Sequence, residues 1–179
     1  MEIMPPPATP TADSISVITT PTFVSSSASN NNNNAFDQVM TFCDLELCVA
    51  IDFTKGNGDP NVPGTSHYRS NNNLNDYQWT MTTVVETLAA YSERNEYSVW
   101  GFGGQYNGQD QPIFLCGQSA KARGTGGILS AYEATFQTEI AFGSSRKLDT
   151  IIAAAAQHAR KSLAGAEQHD RRSYTVLLV

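Results

Sequence analysis

The chain has 179 residues, enough for one domain with a buried core. Its 11 basic and 17 acidic residues give a net charge of −6, which argues against non-specific binding of nucleic acid and against attachment to an anionic membrane surface. Three cysteines without a Cys-x-x-Cys pair predict free, buried thiols. The sequence contains neither an apolar run of membrane-spanning length nor a secretory signal, so we expect a cytoplasmic protein.

The two ends of the sequence differ sharply in composition. Residues 1–34 are rich in Pro, Thr, Ser and Asn, a composition that predicts a disordered tail. We expect the ordered domain to span residues 35–179. The sequence ends on an apolar, β-branched strand, Ser173 to Val179, without the loop that would follow it. We therefore expect the domain to be truncated at its C-terminus.

Between these ends, strands and helices alternate. Hydrophobic periodicity gives the elements in chain order. They are a strand over Leu45–Phe53 that is buried on both faces, a helix from Leu74 to about Tyr91, a strand over Tyr97–Phe102, a short strand over Pro112–Cys116, a helix marked by Ile128 to Phe136 with Thr125 as its cap, a helix from Leu148 to Leu163, and the last strand. The order β-α-β-β-α-α-β predicts a three-layer α/β fold around a mostly parallel sheet.

The first strand ends in a pattern typical of a ligand site. Asp52 closes the apolar run, and the hydroxyl of Thr54 follows before a turn rich in Gly and Asn. Ligands bind at the carboxyl edge of the sheet in open α/β folds. Carboxylate and hydroxyl oxygens suit a hard cation such as Mg²⁺.

Other residues carry weaker signals. His67 has no catalytic partner that the sequence identifies, so we predict a packing role for it. His158 and His169 are predicted to be surface residues. The glycines around Gly103 complete neither a dinucleotide fingerprint nor a P-loop, which leaves roles in turns and close packing.

Short motifs then follow one another along the chain. They are Val49 to Thr54, Asn57 to Pro60, Ser66 to Tyr68, Asn75 to Tyr77, Trp100 to Gly104, Ala131 and Tyr132, Phe142 to Ser145, and Tyr174 to Val179. In this order they resemble the copine-type von Willebrand factor A domain. The resemblance covers most of the chain beyond the tail.

The resemblance implies a Rossmann-like sheet with a metal-ion-dependent adhesion site at its carboxyl edge. By motif match, the metal ligands are Asp52, Thr54 and Ser145. Gly56 stands where the family has the last hydroxyl of the loop after the first strand, and the Asp that the family supplies from its last metal-binding loop is expected beyond Val179. We therefore expect a degenerate site in which binding of Mg²⁺ or Mn²⁺ is weak or lost. Calcium enters only by association with the family.

The resemblance also implies a function in protein–protein interaction, without catalysis. The partner is expected to present an acidic side chain to the site. The family is linked to calcium-dependent phospholipid binding through paired N-terminal domains that are not recognisable in this sequence. Membrane contact is therefore expected only indirectly, as peripheral association with the plasma membrane through other domains.

Two alternatives remain open at this point. The chain also resembles the substrate-binding domain of copine-like RING ubiquitin ligases, although it has no RING cysteines. A more remote alternative is a Mg²⁺-dependent phosphoaspartyl phosphotransferase with Asp52 as nucleophile. The Lys and the paired Asp that such an enzyme needs are not recognisable. The sequence reveals neither the partner nor the oligomeric state.

Overall fold

A computed structural model of the protein describes residues 43–70, 73–92, 94–167 and 172–179. The predicted disordered tail over 1–34 lies outside these residues, as does His169. Within the described residues, no helix is both long enough and apolar enough to span a membrane.

Eight strands and three α-helices form in the described part of the chain. In order they are β1 (Cys43–Asp52), α1 (Asp76–Ala89), β2 (Glu96–Phe102), β3 (Gly104–Tyr106), β4 (Gln109–Gln111), β5 (Phe114–Leu115), β6 (Ala122–Arg123), α2 (Gly124–Thr135), β7 (Ile140–Phe142), α3 (Leu148–Glu167) and β8 (Arg172–Leu178). The predicted α/β class is confirmed.

The main sheet has a parallel centre. Its strand order is β5-β2-β1-β8, and β1 pairs in parallel with both β2 and β8. Val49 in β1 lies between Val99 on one side and Leu178 on the other. The two-residue strands β5 and β6 pair antiparallel with β2. Strand order therefore reverses at β1, which places the switch point of the sheet at the carboxyl end of that strand.

Helices cover both faces of this sheet. Alternate residues of β1 point to opposite faces. Val49 and Ile51 belong to the core that β1 shares with α1 and α2, whereas Ala50 packs with Ile151 of α3. The arrangement is helix–sheet–helix, and the continuous burial of β1 that the sequence predicts is observed.

Helix α1 begins at a well-defined cap. The side chain of Asn75 accepts a hydrogen bond from the backbone nitrogen of Gln78 at 2.9 Å, and the Gln78 side chain accepts from the Asn75 nitrogen at 3.0 Å. This reciprocal capping box stabilises the first turn by about 1 kcal/mol. Met81 and Val85 are then buried against the sheet. The helix ends at Ala89, two residues before the predicted end.

The cap predicted for the second helix is wrong. Thr125 lies inside the first turn of α2, and the capping position belongs to Arg123, whose side chain makes no capping hydrogen bond. The preceding strand β6 sets this start, because its pairing with β2 carries the chain directly into Gly124.

A second, antiparallel sheet was not predicted from the sequence. Its strand order is β4-β3-β7. Asn107 and Gly108 join β3 to β4, and both have positive φ, 50° and 74°, as a tight hairpin turn requires. The pairing of β7 with β3 matters for the site, because it carries the chain to Gly143 beside the end of β1.

The last strand, which is apolar and β-branched in sequence, is only partly buried. Residues of β8 are half-buried or exposed, because β8 is the edge strand of the main sheet in the described residues. The three cysteines, Cys43, Cys48 and Cys116, are buried thiols, as predicted.

Candidate functional site

Three loops converge at the carboxyl end of β1. The first follows β1 and contains a short 3-10 helix, Lys55–Asn57; the second passes through Gly103 and the third through Gly143. The backbone nitrogen of Lys55 donates to the Gly143 oxygen at 2.8 Å, and the Gly143 nitrogen donates to the Gly103 oxygen at 2.9 Å. Main-chain hydrogen bonds therefore hold the three loops together.

Two glycines allow this approach. A Cβ on Gly143 would lie 2.4 Å from the carbonyl oxygen of Gly103. A Cβ on Gly103, where φ is +73°, would lie 2.4 Å from Cγ2 of Thr54. Any side chain at either position would push the loops apart, since such distances are far below van der Waals contact. The close-packing role predicted for the glycine run is observed at Gly103.

The carboxylate of Asp52 lies where these loops meet. Its Oδ1 accepts a hydrogen bond from the backbone nitrogen of Thr54 at 2.8 Å. Its Oδ2 lies 2.7 Å from a terminal nitrogen of Arg146, and the same nitrogen is 3.4 Å from Oγ1 of Thr54. The Asp52 side chain is 11% exposed and the Arg146 side chain 54% exposed. We use the name open surface for the group formed by the Asp52 carboxylate, Thr54, Gly56, Ser145 and Arg146.

The structure brings the predicted site residues to one edge of the sheet. Asp52 and Thr54 contact each other directly. Ser145 belongs to the third loop, between Gly143 and the arginine that pairs with Asp52. Arg146 itself was missed by the sequence reasoning. The available signal was a basic residue directly after the predicted hydroxyl ligand.

As arranged, these residues do not fit a divalent cation. One oxygen of Asp52 accepts from a backbone N–H and the other faces a guanidinium. Mg²⁺ requires near-octahedral oxygen coordination, and a positively charged group beside the same carboxylate opposes a second cation. Nowhere in residues 43–70, 73–92, 94–167 and 172–179 do three His, Cys, Asp or Glu side chains cluster as metal ligands. The metal-ligand assignment of Asp52, Thr54 and Ser145 stays a prediction.

A buried hydrogen-bonded network lies beneath the open surface and includes the backbone carbonyl of Asp52. The carbonyl oxygen of Asp52 is 2.8 Å from Nε2 of His67 and also accepts from the Asn57 side-chain nitrogen at 2.9 Å. Because a carbonyl only accepts, Nε2 of His67 carries the proton. Nδ1 then accepts from the Tyr132 hydroxyl at 2.9 Å, and that hydroxyl accepts from Asn75 at 3.0 Å. We call Asn75, His67, Tyr77 and Tyr132 the closed layer.

Aromatic packing surrounds the imidazole of this layer. His67 is fully buried and stacks on Tyr77 with ring centroids 4.3 Å apart. Burial lowers the pKa of His67 and raises that of Tyr77 to about 12, so both groups are neutral near neutral pH. The packing role predicted for His67 is observed: it ties the first loop to α2.

The prediction for His158 is wrong. This side chain is half-buried, and its Nε2 pairs with the carboxylate of Glu46. Burial alone raises the pKa of Glu46, but hydrogen bonds from Ser162 and His158 outweigh it, and the pKa is lowered. Packing of α3 on β1 therefore includes a contact between His158 and the Glu46 carboxylate that helical periodicity does not reveal.

Comparison with known proteins agrees with the motif series. Residues 65–179 match the family model described as Copine. The chain is 32% identical over 144 residues to Copine-B of Dictyostelium discoideum, covering 80% of this chain and 26% of that protein. It is 34% identical over 144 residues to Protein BONZAI 1 of Arabidopsis thaliana, covering 76% of this chain and 24% of that protein.

A further relative extends the match along the chain. Copine-A of Dictyostelium discoideum is 27% identical over 161 residues, covering 87% of this chain and 26% of that protein. The chain thus spans about a quarter of the length of the curated relatives that it matches.

Proposed function

The chain belongs to the copine family, and we propose that it is a protein–protein interaction module that binds partners through the open surface. We assign its helix–sheet–helix arrangement to the von Willebrand factor A type, because strand order reverses at β1 and the candidate site lies at that switch point. Contact with a membrane would come only through other polypeptide segments.

One observation carries the proposal: three loops meet around a carboxylate that is already neutralised by a half-exposed cation. The Asp52–Arg146 pair lies at a junction of three loops that main-chain hydrogen bonds hold together. Such a junction favours recognition of an acidic side chain, because a charge-assisted hydrogen bond in a partly desolvated place is specific. The partner class is therefore a protein with an exposed Asp or Glu.

The contacts made by the Asp52 carboxylate favour a role in binding over a role in catalysis. A nucleophilic carboxylate needs an oxygen free to attack phosphorus. Both oxygens of Asp52 are engaged, one by the Thr54 nitrogen and one by Arg146. This supports a structural carboxylate and argues against the phosphotransferase alternative. A role as the substrate-binding part of a ubiquitin ligase would use the same surface in the same way.

A displayed library of random peptides tests this function and requires no identified partner. Selection on the wild-type protein, in the presence of Mg²⁺, is expected to enrich peptides that contain Asp or Glu. The blocking variant is Gly56→Tyr, since a Cβ at this position would lie 3.9 Å from Thr54 Oγ1 and 4.0 Å from an Arg146 nitrogen. We expect this ring to reduce binding of the selected peptides at least about tenfold, which is about 1.4 kcal/mol.

The matched control is Gly126→Tyr. Gly126 is exposed, and no atom lies within 4 Å of a Cβ built there. This variant should bind the selected peptides as the wild type does. Enrichment without an acidic consensus, or equal binding by both tyrosine variants, would contradict the proposed function.

A further inference from the structure

The third loop supplies its own positive charge to the open surface. Gly143 is fixed by hydrogen bonds to the first and second loops, and Arg146 follows three residues later. Its terminal nitrogen contacts both of the first-loop oxygens that the family resemblance assigns to a metal, Oδ2 of Asp52 at 2.7 Å and Oγ1 of Thr54 at 3.4 Å. A guanidinium and a divalent cation cannot share this position.

Position 56, where the resemblance implies a hydroxyl ligand, lies beside this arrangement. A Cβ at Gly56 would lie 4.0 Å from the Arg146 nitrogen and 3.9 Å from Thr54 Oγ1. Both distances are ordinary van der Waals contacts, so a hydroxyl on that Cβ would lie close to both groups. The missing oxygen ligand and the arginine therefore lie side by side at this site.

We propose that the guanidinium of Arg146 replaces the divalent cation at this site, so that the open surface binds acidic groups without metal. Arginine suits this role because it stays charged at all relevant pH values and presents several N–H donors in a planar fork. One terminal nitrogen holds Asp52 and Thr54. More than half of the Arg146 side chain is exposed, so the group also faces solvent, where a partner carboxylate can reach it.

The choice of acidic ligand rests on the proposed function, whereas the replacement of the metal does not. A first experiment therefore uses the metal alone. Mg²⁺ is titrated calorimetrically, and Mn²⁺ is added to ¹⁵N-labelled protein to detect broadening of the amide signals of Thr54 and Gly143. Wild-type protein is expected to show no site-specific broadening at millimolar Mn²⁺.

Removing the guanidinium should uncover the metal site. Arg146→Ser is expected to broaden the Thr54 and Gly143 signals with Mn²⁺. Adding Gly56→Ser should raise the affinity further, by about tenfold, because it restores an oxygen near the carboxylate. Lys147→Ser is the matched control: it removes the same charge from the neighbouring exposed residue and should behave as the wild type.

Each remaining outcome overturns the proposal. Tight site-specific binding of Mn²⁺ by the wild type would show that Arg146 moves aside for a metal. Absence of Mn²⁺ binding both in Arg146→Ser and in the double variant with Gly56→Ser would show that removing the guanidinium uncovers no metal site. Arg146→Gln, which keeps a long polar side chain, replaces Arg146→Ser if that variant does not fold.

A second experiment examines the ligand and uses the acidic peptides selected above. Their binding should be unchanged by EDTA, weaken as salt concentration rises, and fall at least about tenfold in Arg146→Ser. Loss of binding in EDTA would overturn the replacement of metal by arginine while leaving the proposed function intact. If no acidic peptide is selected, the proposed function fails while the metal experiment still stands.

Discussion

The open surface and the closed layer meet at Asp52 and differ in the kind of contact that holds them together. Asp52 contributes its carboxylate to the open surface and its carbonyl oxygen to the closed layer. On the open surface the contact is ionic, and its partner Arg146 is half-exposed. In the closed layer the hydrogen bonds are neutral and buried, and they run in series from Asn75 through Tyr132 to His67. The hydrogen bonds of the closed layer therefore hold the first loop without involving the charged groups of the open surface.

This difference has a simple energetic expression. A buried donor or acceptor left unpaired costs about 1–3 kcal/mol, because it loses water without gaining a partner. An ion pair with an exposed partner contributes about 0–1 kcal/mol, since solvent screens it. Mutations in the closed layer should therefore change the free energy of unfolding, whereas mutations on the open surface should change binding.

The largest expected effect lies at the contact that joins the loops. Gly143→Ala places a methyl group 2.4 Å from the Gly103 carbonyl oxygen, and backbone cannot yield as a flexible side chain can. We expect a loss of about 2–3 kcal/mol in the free energy of unfolding, measured by urea denaturation. Gly126→Ala, in open space within α2, should be neutral or stabilising by up to about 1 kcal/mol. Equal stability of the two variants would refute the close approach of the loops.

A smaller effect is expected within the closed layer. Tyr132→Phe removes the hydroxyl that donates to His67 and accepts from Asn75, and it leaves the ring packing intact. The free energy of unfolding should fall by about 1–3 kcal/mol. Metal and peptide binding, measured at a temperature where the variant is folded, should stay unchanged. A stable variant with altered binding would contradict the separation of the two regions.

The smallest effect on stability is expected at the open surface. Arg146→Ala should lower the free energy of unfolding by less than about 1 kcal/mol, because the arginine is 54% exposed. Acidic peptide binding should nevertheless be lost. The measurement pairs urea denaturation with peptide titration on the same protein sample. A loss of stability as large as that of Tyr132→Phe would place Arg146 within the scaffold.

Long elements could be predicted from the sequence, and short ones could not. The burial of β1 follows from an apolar run, and α1 from apolar residues at helical spacing. Strands β3, β6 and β7 have two or three residues each and exist only through pairing with distant partners. Local pattern carries no information about such pairing. The hairpin turn at Asn107 and Gly108 was the one local signal available for the second sheet.

The candidate site shows the same division. Asp52 and Thr54 are close in sequence and follow from the strand-end pattern. Arg146 is 94 residues from Asp52 in numbering, and its position depends on β7 and on the contact made by Gly143. The motif match reached Ser145 but not the next residue, because the family motif specifies only the expected ligands and carries no information about an arginine beside them.

The buried thiols have a chemical consequence of their own. Burial raises the pKa of Cys48 to about 11 and that of Cys116 to about 12, so both sulfur atoms hold their protons under physiological conditions. A protonated, inaccessible sulfur reacts slowly with maleimides and peroxides. A cysteine introduced on the exterior would thus be the preferred attachment point for a fluorophore, because the native fold shields Cys48 and Cys116 from the reagent.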